Sequence, residues 1–268
     1  MIADFTPLDR LRQQRPLIHC IANQVTSGDC ANVVLAAGAS PIMAIAPEEM
    51  ADLNAASRAL VINTGTPEAE KFRICLQWGQ TAAAAGLPIV LDPVGIGASR
   101  WRFQSVQAML HMFTPHILRV NWGEALALVQ RTGGEQGVDS RAAASLEDRL
   151  AVAKALAVHR RTVVLLSGPE DVITDGETAW CVSGGSDLMG RITGTGCMLS
   201  CLCGAFAAAA ESPLQAALLA SAFWKVCARR AEEAAAGRGT GSFRVALMDT
   251  ASLLTADQLA AEAQLRQL

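Results

Sequence analysis

The chain predicts an α/β fold with a mostly parallel central sheet and helices on both faces. Three observations lead there. Short apolar runs of strand length alternate with helix-length segments through most of the 268 residues. Several of the helical segments open on recognisable start signals, and polar residues stand at the carboxyl ends of the apolar runs, where open parallel sheets gather their ligands. No Ser/Gly-rich or Pro-rich linker interrupts this order, so residues 1–268 are expected to form one domain.

Taken in order, residues 17–21, 42–45, 60–62, 89–91, 117–120 and 163–166 read as buried strands. Pro47-Glu48-Glu49 and Thr66-Pro67-Glu68 read as helix starts, the second with a threonine cap, a first-turn proline and an acidic first turn. Residues 171–174 and 178–182, joined through Asp175-Gly176, read as a hairpin added to the sheet. Beyond it the chain is expected to be all-helical, with Thr255-Ala256-Asp257-Gln258 as the capping box of the last helix.

Composition narrows the function classes. Hydrophobic residues make up 51% and charged residues 18%, which excludes a disordered chain. The net charge of -3, with scattered arginines, gives no footprint for nucleic acid. Asp4 and Asp9 near the N-terminus argue against a secretory signal. The most apolar stretch, residues 197–210, is too short to span a bilayer. A cytoplasmic enzyme is the expectation. The eight cysteines have no repeating spacing, so a disulfide framework is not expected. Cys197 and Cys201 have no nearby histidine to complete a zinc site. Cys201 and Cys203 read as small core residues. Cys197 differs because it opens a helix, a position expected to lower its pKa and favour thiolate.

The run from Arg191 to Ser200, Arg-Ile-Thr-Gly-Thr-Gly-Cys-Met-Leu-Ser, is the most informative stretch. Glycine turns tightly and lets backbone approach a ligand. The free N–H groups and dipole of a helix N-terminus attract anions. Gly194 to Cys197 therefore reads as an anion cradle, with a chain-turning helix entry as the plainer alternative. Three more polar groups sit at strand ends. Asp92 leads into Pro93-Val94-Gly95-Ile96-Gly97, Arg119-Val120-Asn121 closes the next strand, and Ser167-Gly168 closes the one after. Singly, Asp92 reads as a cap or turn residue, and Asn121 as an N-cap with Glu124 as its acidic partner. Together, two carboxylates, an arginine and an anion cradle on one sheet edge are the set that phosphoryl transfer with Mg²⁺ requires.

Asp92, the Asn121-x-x-Glu124 pair and the Gly194-x-Gly-Cys197 turn resemble the ribokinase-like kinases. Cysteine at the end of the glycine turn, where the sugar kinases carry aspartate, points to the vitamin-kinase branch. Residues 19–25 (His-Cys-Ile-Ala-Asn-Gln-Val), 29–32, 36–44 and 62–66 are similar to the hydroxyethylthiazole kinase family. The resemblance runs from about Leu17 to Val226, with one departure at Val120, where the family commonly has glycine.

The resemblance implies a single ribokinase-like domain. It further implies transfer of the ATP γ-phosphoryl group to the primary alcohol of 4-methyl-5-(2-hydroxyethyl)thiazole, a step toward thiamine. Cys197 matches the base. Gly194 and Met43 match substrate-contacting positions, and Asn23 and Val25 fall in the stretch expected to line the same pocket. Met43 on its own reads as strand core. Arg119 and Ser167 match ATP-binding positions, with Asn121, Thr195 and Gly196 expected beside the nucleotide. Asp92 and Glu124 match the acidic groups that organise Mg²⁺, largely through water. A homotrimer with substrate sites between subunits is implied as well. The rivals are a hydroxymethylpyrimidine or pyridoxine-type kinase, which the Asn23 and Met43 stretches oppose, and a nicotinamide-nucleotide repair dehydratase, which Cys197 opposes. A nucleotide-sensing or purely structural α/β domain would make the carboxylates and cradle coincidental.

Overall fold

The structure is a computed structural model, and it describes residues 4–130 and 145–268. The chain runs α1 (Pro7–Gln14), β1 (Leu17–Ile21), α2 (Ser27–Ala37), β2 (Ser40–Ile42), α3 (Met50–Ala56), β3 (Ala59–Asn63), α4 (Ala69–Ala84), β4 (Ile89–Asp92), α5 (Arg100–Met112), β5 (Ile117–Asn121) and α6 (Trp122–Gln130). It continues with α7 (Leu146–Arg160), β6 (Val163–Ser167), β7 (Asp171–Thr174), β8 (Ala179–Ser183), α8 (Thr195–Ala207), α9 (Pro213–Ala235), α10 (Thr240–Leu253), α11 (Ala256–Glu262) and β9 (Gln264–Gln267).

The nine strands of the described residues join one sheet in the order β2-β1-β3-β4-β5-β6-β7-β8-β9. The first six pair in parallel, and β7, β8 and β9 are added antiparallel. The alternation of side chains along each strand divides the core between the two faces. Ile18, Cys20, Val61, Val90 and Ile117 pack under α2, α8, α9 and α10. Leu60, Ile62, Ile89, Leu91 and Leu118 pack under α4, α5, α6 and α7. β2 is the short edge strand and carries Pro41 at its centre.

The predicted strands at 17–21, 60–62, 89–91, 117–120 and 163–166 all form, and β3 to β6 extend to the polar residues at their tips. The 171–182 hairpin and the Thr255 capping box form as expected. Four readings need correction. The strand placed at 42–45 occupies Ser40–Ile42 instead, because its pairing with Leu17 to His19 sets the register. Thr66 does not cap α4: its φ is +43°, its hydroxyl accepts the Gln24 N–H, and Glu68 holds the cap position without a side-chain bond. Pro47–Glu49 forms a single 3-10 turn ahead of α3 rather than the helix itself. Finally, the chain does not end all-helical, since β9 pairs with β8 and closes that edge.

Candidate active site

Strand order reverses between β1 and β3, the chain having gone out to β2 on one side before returning on the other. Such a switch point opens a crevice at the carboxyl ends of the strands. Asn23 follows β1, while Asn63, Asp92, Asn121 and Ser167 end β3, β4, β5 and β6. Asn63 is in register with Asp92, and Asn121 with Ser167. The parallel register thus puts these strand ends on one edge of the sheet.

Across that edge lies the start of α8. Gly194 holds its N-cap position at φ +88°, a left-handed conformation that L side chains resist. Gly194 has no side chain to cap this helix, so among the described residues its first N–H groups are left unclaimed, as an anion cradle needs. A cavity of about 560 Å³ opens beside it, with Arg119, Ser167, Gly168, Thr195, Gly196 and Lys225 among its lining residues. Four of the five residues expected at the nucleotide therefore share one cavity. The fifth, Asn121, does not line it. Its side chain accepts the Glu124 N–H at 2.9 Å while Glu124 Oε2 accepts the Asn121 N–H at 2.9 Å, which is the reciprocal cap the sequence also allowed.

Asp92 is fully buried. Its Oδ2 accepts hydrogen bonds from Asn63 Nδ2 and Ser200 Oγ, both at 2.8 Å, and Arg119 Nη1 stands 3.6 Å from Oδ1. Burial pushes the Asp92 carboxyl up to about 6. Arg119 opposes that rise, the charge of Glu124 adds to it, and the Ser200 and Asn63 donors favour the ionised form. Arg119 Nη2 in turn donates to Ser167 Oγ at 2.6 Å, linking the tips of β4, β5 and β6.

Glu124 sits over the loop after β4, where its Oε1 accepts the Gly95 N–H at 2.9 Å. Among the described residues no group of three or more His, Cys, Asp or Glu is placed to enclose a metal ion. The carboxylates nonetheless suit a Mg²⁺ ion shared with phosphates and water. Among the described residues Asp92 Oδ1 is buried without a hydrogen-bond partner, and each Glu124 oxygen has spent one lone pair.

Cys197, at the third position of α8, is partly exposed, whereas the other seven cysteines are buried. Asn23 Nδ2 donates to its Sγ at 3.3 Å. The expectation of a lowered thiol pKa is overturned. Burial raises it above the ordinary value, the charge of Asp92 raises it further, and the nearby polar side chains of Thr26 and Asn63 offset this only in part. Desolvation beside a carboxylate disfavours the thiolate, opposite in direction to what a helix N-terminus alone would do.

Among the substrate candidates, Asn23 is buried and joined to Cys197, and Met43 packs half-buried on the same core cluster as Cys197. Val25 is 64% exposed and turned out to solvent, as is Ile45 at 54%.

Sequence reasoning missed a second set. Lys225 on α9 donates to the carbonyls of Gly168 and Pro169, each at 2.7 Å, and pairs with Asp171 at 3.4 Å. Asp171 also accepts the Gly168 N–H and the Ser221 hydroxyl. This buried group fixes the turn that follows Ser167. Trp224 Nε1 donates to Thr195 O at 3.0 Å, bracing the cradle. A lysine near the end of the run Ala216–Val226, which is apolar apart from it and Ser221, was the available signal.

The model of the hydroxyethylthiazole kinase family matches residues 8–257. A hydroxyethylthiazole kinase of Methanocella arvoryzae is 39% identical over 259 residues, covering 97% of this chain and 96% of that protein. One from Herpetosiphon aurantiacus is 45% identical over 239 residues, covering 89% and 86%. Among solved structures, the hydroxyethylthiazole kinase protein from Pyrococcus horikoshii OT3 superposes with a TM-score of 0.90 at 35% identity, over 98% of both chains. The pyridoxal kinase of Staphylococcus aureus, with a TM-score of 0.58 at 16% identity over 77% of this chain and 85% of that one, shares the fold.

Proposed function

From the premise that the chain belongs to the hydroxyethylthiazole kinase family, we propose how its residues carry the reaction. The chain is a kinase that transfers the γ-phosphoryl group of ATP to the hydroxyethyl oxygen of 4-methyl-5-(2-hydroxyethyl)thiazole. That oxygen bonds to phosphorus, the bond to the β-phosphate bridging oxygen breaks, and ADP leaves. The observation that carries our reading is the uncapped N-terminus of α8, with Arg119 and Ser167 on the cavity wall beside it.

The triphosphate lies in that cavity, its transferred end against the free N–H groups after Gly194. Backbone donors fixed in advance stabilise the charge that develops on the moving phosphoryl group. Arg119, held by Asp92 and Ser167, adds a planar cation that needs no reorganisation. Mg²⁺ would be held by Asp92 and Glu124 through water and would neutralise phosphate charge when bound. Cys197 takes the hydroxyl proton on Sγ, acting from the ionised fraction of a thiol whose pKa burial has raised. A loose transition state asks little of the base, so the cradle and its charges carry more of the rate than the thiol.

The thiazole ring is held beside Asn23, Met43 and Gly194. Val25 and Ile45 are apolar and exposed in the same segments, which supports a site completed by a neighbouring subunit of a homotrimer. Light scattering of the wild type and of Val25→Asp, with KM for the thiazole measured on each, tests that assembly. No helix among the described residues is long and apolar enough to cross a membrane.

ADP release requiring the thiazole alcohol, assayed beside hydroxymethylpyrimidine and pyridoxal, tests the substrate. Equal turnover of all three alcohols would refute it.

A further inference from the structure

We propose that Asn63 is a positioning residue for the transfer, tying the carboxylate of Asp92 to the thiol of Cys197 through a chain of side-chain amides. The inference rests on the assignment of both those residues to the site.

Asn63 ends β3 and is 2% exposed, so water does not compete for its amide. Its Nδ2 donates to Asp92 Oδ2 at 2.8 Å. Its Oδ1 accepts the Gly65 N–H at 2.9 Å and Asn23 Nδ2 at 3.1 Å. Asn23 Nδ2 also reaches Cys197 Sγ at 3.3 Å, and Asn23 Oδ1 accepts the Thr26 N–H at 3.1 Å. The bridge therefore runs from β4 through β3 and the segment after β1 to the start of α8.

Neither amide is free to turn over. A reversed Asn63 would set its oxygen against the Asp92 carboxylate and its N–H₂ group against the donors of Gly65 and Asn23. Five hydrogen bonds thus specify one arrangement. Stability alone does not call for such a device, because well-packed apolar side chains stabilise a core as well. What the bridge supplies is a fixed distance between the group beside the phosphates and the group beside the alcohol. Phosphoryl transfer depends on that distance, since a 1 Å misplacement costs roughly 10²-fold.

The test is a double-mutant cycle of Asn63→Ala and Cys197→Ala, with kcat measured at saturating ATP, Mg²⁺ and thiazole alcohol. Asn63→Ala alone is expected to lower kcat by roughly 10–10²-fold, with KM for ATP within about threefold of wild type. In the Cys197→Ala background the same substitution is expected to cost less than about threefold, because the residue it positions is gone. Equal losses in both backgrounds, or a wild-type kcat for Asn63→Ala, would overturn the inference while leaving Cys197 in place. Full activity of Cys197→Ala would overturn the assignment of Cys197 and the inference with it. If Asn63→Ala does not fold, Asn63→Ser is compared in the same cycle. In the free enzyme, iodoacetamide should alkylate Cys197 at a different rate in the Asn63 variant, and an unchanged rate counts against the bridge.

Discussion

Replacing Gly196 with alanine tests whether the guanidinium of Arg119 works at the nucleotide. A Cβ on Gly196 would lie 2.6 Å from Arg119 Nη2, 2.7 Å from Nη1 and 2.8 Å from Cζ. Carbon needs about 3.5 Å to a non-bonded heavy atom, so the guanidinium has to retreat by about 1 Å. It has little room to do so, being 8% exposed and held to Ser167 Oγ at 2.6 Å. Loss of that charge-assisted hydrogen bond costs about 1.5–3 kcal/mol. Exchanging glycine for alanine in a helix returns at most about 1 kcal/mol. The net destabilisation is then about 0.5–2 kcal/mol, small enough for the variant to stay folded. Catalysis is affected far more, because a 1 Å displacement of a group facing the phosphates costs roughly 10²-fold. Urea unfolding measures the first quantity and kcat/KM for ATP the second. A variant destabilised as expected but with wild-type ATP kinetics would mean that Arg119 braces the sheet edge and does not touch the nucleotide.

Three further outcomes are expected. Glu124→Gln keeps an acceptor for only one of the two N–H groups that Glu124 now receives, and it removes a charge beside Asp92. Turnover should fall and the Mg²⁺ needed for half-maximal rate should rise, and full activity at low Mg²⁺ would remove Glu124 from the ion's surroundings. Because burial raises the Cys197 thiol above its ordinary value, the reactive thiolate fraction grows as pH increases through 7 to 9. Both kcat and iodoacetamide labelling of Cys197 should climb over that range, whereas the residual kcat of Cys197→Ala, lower by roughly 10²–10⁴-fold, should stay flat. A flat wild-type profile would deny the thiol its role as proton acceptor. Lys225→Met strands Asp171 in the interior, so stability should drop by about 3 kcal/mol, and KM for ATP should rise more than kcat falls as the turn after Ser167 loosens. An unchanged urea midpoint would show that Asp171 is satisfied by Gly168 and Ser221 alone.

Much of this architecture could be read from the chain because its signals are local. The runs of β3, β4 and β6 are apolar without a break up to their polar tips, and β1 and β5 are interrupted only by His19 and Arg119, as strands covered on both faces require; the tips mark the crevice. The cap between Asn121 and Glu124 spans three residues and was equally visible. Partners made in three dimensions were not. Ser200 meets Asp92 across 108 positions and Asn63 meets it across 29, and nothing in the spacing of either pair announces the contact. β9 escaped notice because Gln264-Leu265-Arg266-Gln267 is a largely exposed edge strand without an apolar run. The Cys197 reading failed for a different reason. A helix N-terminus is written in the sequence, but the burial of the thiol and the Asp92 carboxylate at the tip of β4, which raise its pKa, are not.

Pro41 gives the sheet an asymmetric capacity for growth. On the β2 edge the ring nitrogen replaces the N–H that an incoming strand would need, and the edge is only three residues long. A further chain therefore cannot extend the sheet there by backbone pairing. Contacts between copies on that flank have to be made by side chains, whose shape and polarity are specific in a way that a bare strand edge is not. The same proline that limits orderly association by pairing also denies amyloid-like stacking a template on that flank of the sheet.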